Sequence, residues 1–372
     1  MAKTYRAAVI GATKRGDYGH GLDTAFFENS RVELVAVADA DPQGRERAAA
    51  KLKISRTYAD YREMLAQEQP DLVAIGPRWV NNRVDMLTAA ANAGCHIYCE
   101  KPFAGRLEDV DAIVTACEAG GVKLQMAHQF RAMPPVVKAL ANLREGTYGK
   151  LLRLHARPKD DHRGGGEELI VHGTHLFDLM IAAAGRPAWV SARITMDERD
   201  VVKSDARSGA EPVGPIAGNA CSVQFGFDNG VTGFFESIAN QHRTDRESYY
   251  GLLLECENAL LHIRRLGDVF VYPAPLVLPE DEKRSWEKIW IPEWHFTPEH
   301  QPQNLNNWLD RGNKILVADL LDAIEEDRAP LSSLDHARLI AEMIQGAYAS
   351  HFAGGARQAL PLAERRHPLE ID

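Results

Sequence analysis

Residues 5–16 read Tyr5-Arg6-Ala7-Ala8-Val9-Ile10-Gly11-Ala12-Thr13-Lys14-Arg15-Gly16, an apolar run that stops at a glycine-rich turn. Glycines there permit a tight reversal and the close backbone approach that a dinucleotide pyrophosphate needs at the N-terminus of a following helix. Gly11 and Gly16 fit the first and third glycines of that fingerprint, Thr13 stands at the second, and Gly19 and Gly21 trail behind. Alone, the turn is also compatible with a purely structural loop. The next strand, Val32–Ala38, ends at Asp39, about where a carboxylate accepts hydrogen bonds from the adenosine ribose and repels a 2′-phosphate. NAD rather than NADP is therefore the expected cofactor, with Gly11, Ala12, Thr13, Gly16 and Asp39 among its binding residues. The competing role for Asp39 is a helix cap or turn residue before Asp41-Pro42.

Working outward, strand patterns at 71–76, 96–99 and 122–126 alternate with helical patterns at about 42–53, 60–68, 81–93 and 107–119. That alternation favours a Rossmann-type, doubly wound parallel sheet. After about residue 150 the rhythm changes to longer alternating runs at 151–157, 188–196, 221–227, 231–235, 249–256, 259–264 and 268–272. Asn229-Gly230 between two of them signals a hairpin, with a type I′ turn needing positive φ at both central residues. Helical patterns at about 304–326 and 333–351 close the chain. The expected fold is α/β plus α+β: an NAD-binding domain over 1–128, then a substrate-binding and oligomerisation domain over 129–372 built on a large, mainly antiparallel open sheet.

The 372 residues are 45% hydrophobic and 26% charged, which supports buried cores and excludes a disordered or low-complexity chain. Lys plus Arg number 43 against 52 Asp plus Glu, and the resulting charge of −9 argues against a nucleic-acid partner. No apolar run approaches the roughly 18 residues of a membrane span. The cysteines (Cys95, Cys99, Cys117, Cys221, Cys256) are odd in number, form no Cys-x-x-Cys pair and sit in apolar segments, as reduced core thiols of a cytoplasmic protein would. The stretch from Pro273 to Trp308 carries Trp286, Trp290, Trp294 and Trp308; it reads either as a packed excursion or as an aromatic wall for a sugar.

Glu100-Lys101-Pro102 follows the strand at 96–99, and Gly164-Gly165-Gly166 precedes His172-Gly173-Thr174-His175-Leu176-Phe177-Asp178. Together with the first turn and Asp39, these motifs resemble the glucose-fructose oxidoreductase, inositol dehydrogenase and MocA family (Gfo/Idh/MocA), from Tyr5 to about Leu362. Hydride transfer from a secondary alcohol needs a base for the hydroxyl proton and a cation or donor for the developing alkoxide, and Lys101 suits either need. The resemblance implies an NAD-dependent oxidoreductase acting on a sugar, polyol or glycoside hydroxyl. Lys101 would lie beside substrate and nicotinamide, and Pro102 in a turn that is often cis. His175 would be the catalytic histidine, with Asp178 orienting it from one turn on. Homo-oligomers, dimers or tetramers, would form through the open sheet face.

At 100° per residue, Glu168, Val171, His172, His175 and Asp178 fall within an arc of about 120° on one helix face. Val171 stands where the family commonly has Asp, while Glu168 and His172 add polar groups, so either can stand in a different proton relay. Glu168, His172 and His175 also have the spacing of a metal site, although the family is generally metal-independent. Near the nicotinamide the family usually has a Thr-Pro-x-x-x-His segment. This chain has Gly76-Pro77-Arg78-Trp79-Val80-Asn81-Asn82 there, with Pro77 and Arg78 read as cofactor contacts and Trp79 as a substrate wall. Glu100 joins the cofactor set, and Gln129, Arg131, Glu168 and His172 the substrate set. Asp160, Asp161, His162 and Arg163 form a polar loop without an assigned role. Two rival functions use the same fold: a glycoside hydrolase or lyase that cycles NAD with no net redox, and a non-catalytic sugar sensor.

Overall fold

The computed structural model describes residues 3–241, 249–264 and 267–370. The chain forms two compact units: Met1–Gln129 with Glu211–Gly214 and Asn307–Ala341, and Phe130–Ala210 with Pro215–Asn306 and Glu342–Asp372. No helix among the described residues is long and apolar enough to cross a membrane.

The first unit is a parallel sheet of β1 (Tyr5–Ile10), β2 (Val32–Ala38), β3 (Thr57–Tyr58), β4 (Leu72–Ile75), β5 (His96–Cys99) and β6 (Leu124–Met126), in the order β3-β2-β1-β4-β5-β6. Strands β1, β4 and β5 are buried almost throughout, as strands covered on both faces must be. Crossover helices α1 (Pro42–Leu52), α2 (Tyr61–Glu68), α3 (Arg83–Asn92) and α4 (Leu107–Gly120) start and stop on local signals. Asp41 caps α1 by accepting from Gly44 N at 2.8 Å, with Pro42 behind it, and α4 ends at left-handed Gly121. Asp41, not Asp39, is thus the cap.

Two expectations fail in this unit. No α-helix follows the glycine turn; a single 3₁₀ turn, Leu22–Thr24, stands there, because Lys14, Gly16, Asp17, Gly19 and Gly21 all take positive φ. Nor does one cut after residue 128 separate the units, since residues 307–341 belong to the first. The physical reason lies at the sheet edge. Met126 N donates to Ser332 O (2.8 Å), Gln125 bridges Ser333, and the helix Trp308–Glu325 buries Leu316, Val317, Leu320 and Leu321.

In the second unit the described strands are β7 (Leu151–Arg157), β8 (Pro187–Met196), β9 (Arg199–Asp200), β10 (Arg207–Ser208), β11 (Pro215–Ile216), β12 (Ala220–Phe227), β13 (Thr232–Ile238), β14 (Gly251–Cys256), β15 (Leu260–Arg264), β16 (Val269–Tyr272), β17 (Glu287–Lys288) and β18 (Gln358–Ala359). Ten of them make one sheet, ordered β17-β16-β15-β14-β7-β13-β12-β8-β18 with β9 beside β8, and only β13–β7 is parallel. Phe177, on the helix Gly173–Ala184, meets Phe225 and Phe235 at 5.2 and 5.1 Å between ring centroids and anchors the core beneath that sheet.

The β12–β13 hairpin forms, yet only Gly230 has positive φ (85°). Its loop is closed by Gly230 N to Phe227 O (2.9 Å) and Phe227 N to Val231 O (3.0 Å), so three residues turn the chain with glycine at the left-handed end, not a type I′ pair. Within the Pro273–Trp308 stretch, Trp294 is buried while Trp286 and Trp290 are exposed.

Candidate active site

The first unit brings its predicted residues to the carboxyl ends of β1, β2, β4 and β5. Asp39 is buried and accepts from Thr13 N (3.1 Å), Thr13 Oγ1 (2.7 Å) and Asp41 N (3.0 Å), all neutral donors. Burial and this carboxylate push the Tyr18 hydroxyl above its ordinary range. Gly16 (φ 90°) leaves no room for a Cβ, which would stand 2.4 Å from Arg78 N; at Gly19 (φ 61°) it would stand 2.3 Å from a Glu100 oxygen. The trailing glycines therefore let the turn lie directly on the two neighbouring loops.

Glu100 is fully buried and takes His20 N (2.8 Å), His20 Nδ1 (3.0 Å) and Lys101 N (3.2 Å). Burial opposes its charge, but His20 and then Lys101 outweigh it and hold the carboxyl below its usual range. Lys101 is buried, and its bond to Pro102 is cis. Gln129, read as a substrate contact, instead donates to Asn313 Oδ1 (2.8 Å), which also accepts from Tyr98 OH (2.7 Å).

The second unit carries the histidines. The expected single helix is two, Gly166–Val171 and Gly173–Ala184, with the break at His172, where His175 N turns to His172 O (3.1 Å). Glu168 still reaches His172, Oε2 to Nδ1 at 2.6 Å. Burial, and then the charge of Asp161, push Glu168 up to about 8. Asp161 goes the other way: burial resists, but Arg163, gripping it at 2.7 and 3.1 Å, holds it well below the carboxylate range. Around the imidazoles the rings interlock edge-on, Tyr250 against His172 (5.3 Å) and Phe130 against both His175 (5.5 Å) and Tyr250 (5.6 Å). Asp178 is fully buried one turn after His175. A carboxyl raised in this way keeps its proton near neutrality beside an imidazole, which suits general acid–base work. Among the described residues no three His, Cys, Asp or Glu are arranged to hold a metal ion.

Residues 5–128 match the model of a family described as Gfo/Idh/MocA, oxidoreductase family, NAD-binding Rossmann fold. Residues 5–128 are a Gfo/Idh/MocA oxidoreductase NAD-binding domain. The chain is 35% identical to a D-apiose dehydrogenase of Paraburkholderia graminis over 40% of its own length and 38% of that protein's. It is 25% identical to a levoglucosan dehydrogenase of Pseudarthrobacter phenanthrenivorans over 55% and 59%. It thus spans less than two thirds of the length of these relatives. A solved levoglucosan dehydrogenase, in complex with NADH and L-sorbose, shares the fold at TM-score 0.77 and 20% identity, covering 97% of this chain and all (100%) of that one.

As a Gfo/Idh/MocA cofactor domain, residues 5–128 fit NAD: the strand order reverses between β1 and β4, and among the described residues the Asp39 carboxylate accepts from backbone N–H groups and a hydroxyl. Sequence reading missed Asp161, Phe130 and Tyr250 as partners of the histidines, for each lies outside the helix that carries them. It also missed Arg83, fully buried at the start of α3. Its one signal was a second arginine directly after the Gly76–Asn82 segment, which lacks the histidine of the Gfo/Idh/MocA pattern.

Proposed function

We propose that the protein is an NAD-dependent oxidoreductase that oxidises a secondary hydroxyl of a sugar, polyol or glycoside, or reduces the corresponding ketone. The observation that carries this is the buried Glu-Lys-Pro lysine of an NAD-binding domain, in a chain that also holds the buried Glu168–His172 proton store beside His175. NAD, when bound, supplies the hydride acceptor or donor. Asp39 would bind the adenosine ribose, with Gly11, Ala12, Thr13, Gly16, Pro77, Arg78 and Glu100 shaping the rest of that site. We assign Lys101 to polarise the substrate oxygen and His175 to take its proton in oxidation and return it in reduction, with Asp178 orienting the imidazole. Glu168 and His172 supply the relay that the family acid, replaced by Val171, would otherwise provide. Trp79 and Arg131 are assigned to substrate. Two sugar dehydrogenases among the relatives support the substrate class.

A second reading keeps the same site but cycles the cofactor: oxidation acidifies a neighbouring C–H, a group leaves, and the hydride returns to the same carbon skeleton. Glu168, raised to about 8, favours it as a proton donor to a leaving group. Five unpaired, buried cysteines support a reducing, cytoplasmic setting. The exposed rings Trp286 and Tyr249 beside a cleft of about 400 Å³ on β7, β13, β14 and β15 support a homo-oligomer through that face.

The test is NAD-loaded protein mixed with a panel of aldoses, polyols and glycosides, following NADH absorbance while products are chromatographed. Net NADH establishes the dehydrogenase. Altered sugar without NADH establishes cycling, and neither product sinks both readings.

A further inference from the structure

Arg83 opens α3 directly after the loop that leaves β4, a position where an arginine ordinarily reaches solvent, yet its side chain is wholly buried. Nη2 donates to Pro77 O, while Nη1 donates to Glu100 O and to Pro102 O (3.1 Å) and lies 3.1 Å from Cys99 Sγ. One guanidinium therefore holds the loop after β4, which carries Arg78 and Trp79, and the loop after β5, which carries Lys101.

The partners are three carbonyls and a thiol. A buried cation with no carboxylate beside it is a poor choice for stability alone. What the guanidinium does provide is a planar fork whose two nitrogens serve carbonyls on separate loops at fixed angles, which a point-like ammonium cannot reproduce. Glu100 O and Pro102 O flank Lys101 on both sides, so the fork sets the orientation of the backbone from which the lysine springs. Pro77 O, on the other nitrogen, keys that orientation to the neighbouring wall.

We propose that Arg83 is a positioning residue that locks the Arg78–Trp79 loop and the Lys101 loop into one rigid unit, so that cofactor wall and lysine keep a fixed register. The kinetic part rests on the function proposed above; the mechanical part does not.

Hydrogen exchange on the unmodified protein comes first. The amides of residues 78–80 and 103–105 should open together, with one dependence on low denaturant; independent opening overturns the lock. In Arg83→Lys, both segments should lose protection by about tenfold or more while β1 and β2 stay within about twofold. Loosening of one segment alone, or of neither, refutes it. With the sugar found in the panel, Arg83→Lys should lose about a hundredfold in kcat with substrate KM within about threefold. A kcat within about twofold of wild type refutes the register argument. Should the variant fail to fold, the exchange pattern of the unmodified protein decides. Wild-type protein that neither binds NAD nor converts any sugar removes the proposed function, while the exchange arms still judge the lock.

Discussion

Replacing Glu168 by Gln removes one titrating proton from the second unit while keeping a side-chain amide of the same shape beside His172 Nδ1. A carboxyl whose folded pKa lies above its unfolded one keeps, in the native state, a proton that the unfolded chain has released. Native stability then falls as pH rises between the two values. For Glu168 those values are about 8 folded and 4.5 as an ordinary carboxyl. At ~1.4 kcal/mol per pH unit for one proton, the wild-type protein should lose about 3–4 kcal/mol from this group between pH 5 and pH 8. Glu168→Gln should lose none of it. Urea unfolding of both proteins at pH 5, 6, 7 and 8 reads the difference, which should swing in favour of the variant as pH rises. If the units unfold separately, the swing belongs to the transition of the ten-stranded sheet. Parallel stability curves for the two proteins would show that Glu168 is ionised in the native state and would refute the account of its burial.

Lys101→Ala should cut turnover by about 10²–10⁴-fold while calorimetry finds NAD affinity within about threefold, since polarisation of the substrate oxygen is lost and Asp39 remains. Asp39→Ala should weaken NAD binding by about tenfold and erase the discrimination against NADP, measured with both dinucleotides. Burial pushes Cys256 up to about 11 and Cys95 and Cys117 up to about 12, and raises Cys99 and Cys221 as well. At pH 8 a thiol-specific disulfide reagent should therefore find no fast-reacting cysteine in the native protein and all five after denaturation.

The parallel sheet was legible because its strands are continuous β-branched and alanine runs closed by Gly11, Asp39 and the Glu100 turn, with Asp41-Pro42 marking a helix start. Strand β3 was not, since two residues have no periodicity. Nor was the missing helix after β1: the turn packs at Gly16 and Gly19 directly on the loops after β4 and β5, and a sequence shows no such contact. The histidine face was read correctly for the Glu168–His172 pair, whose i, i+4 spacing survives, but not for the break at His172. Gln129 looked like a ligand contact because a polar residue beyond a strand end usually faces one; Asn313, far along the chain, takes its amide. Arg83 escaped notice because an arginine in a first helical turn reads as solvated, and only the fold shows three carbonyls converging on it.

The closing of β6 has a bearing on how the chain is made. Strand β6 ends at Met126, and the residues that cover its open edge, Ser332 and Ser333, are synthesised about two hundred residues later. At roughly 5–20 residues per second, that interval is about 10–40 s. During it the nascent cofactor domain presents the unpaired outer edge of β6 to everything around the ribosome, and the polypeptide made in between is the whole ten-strand sheet apart from β18. The half of the protein that begins first is completed almost last, so a stalled or truncated product would display a ready-made edge for pairing with another chain.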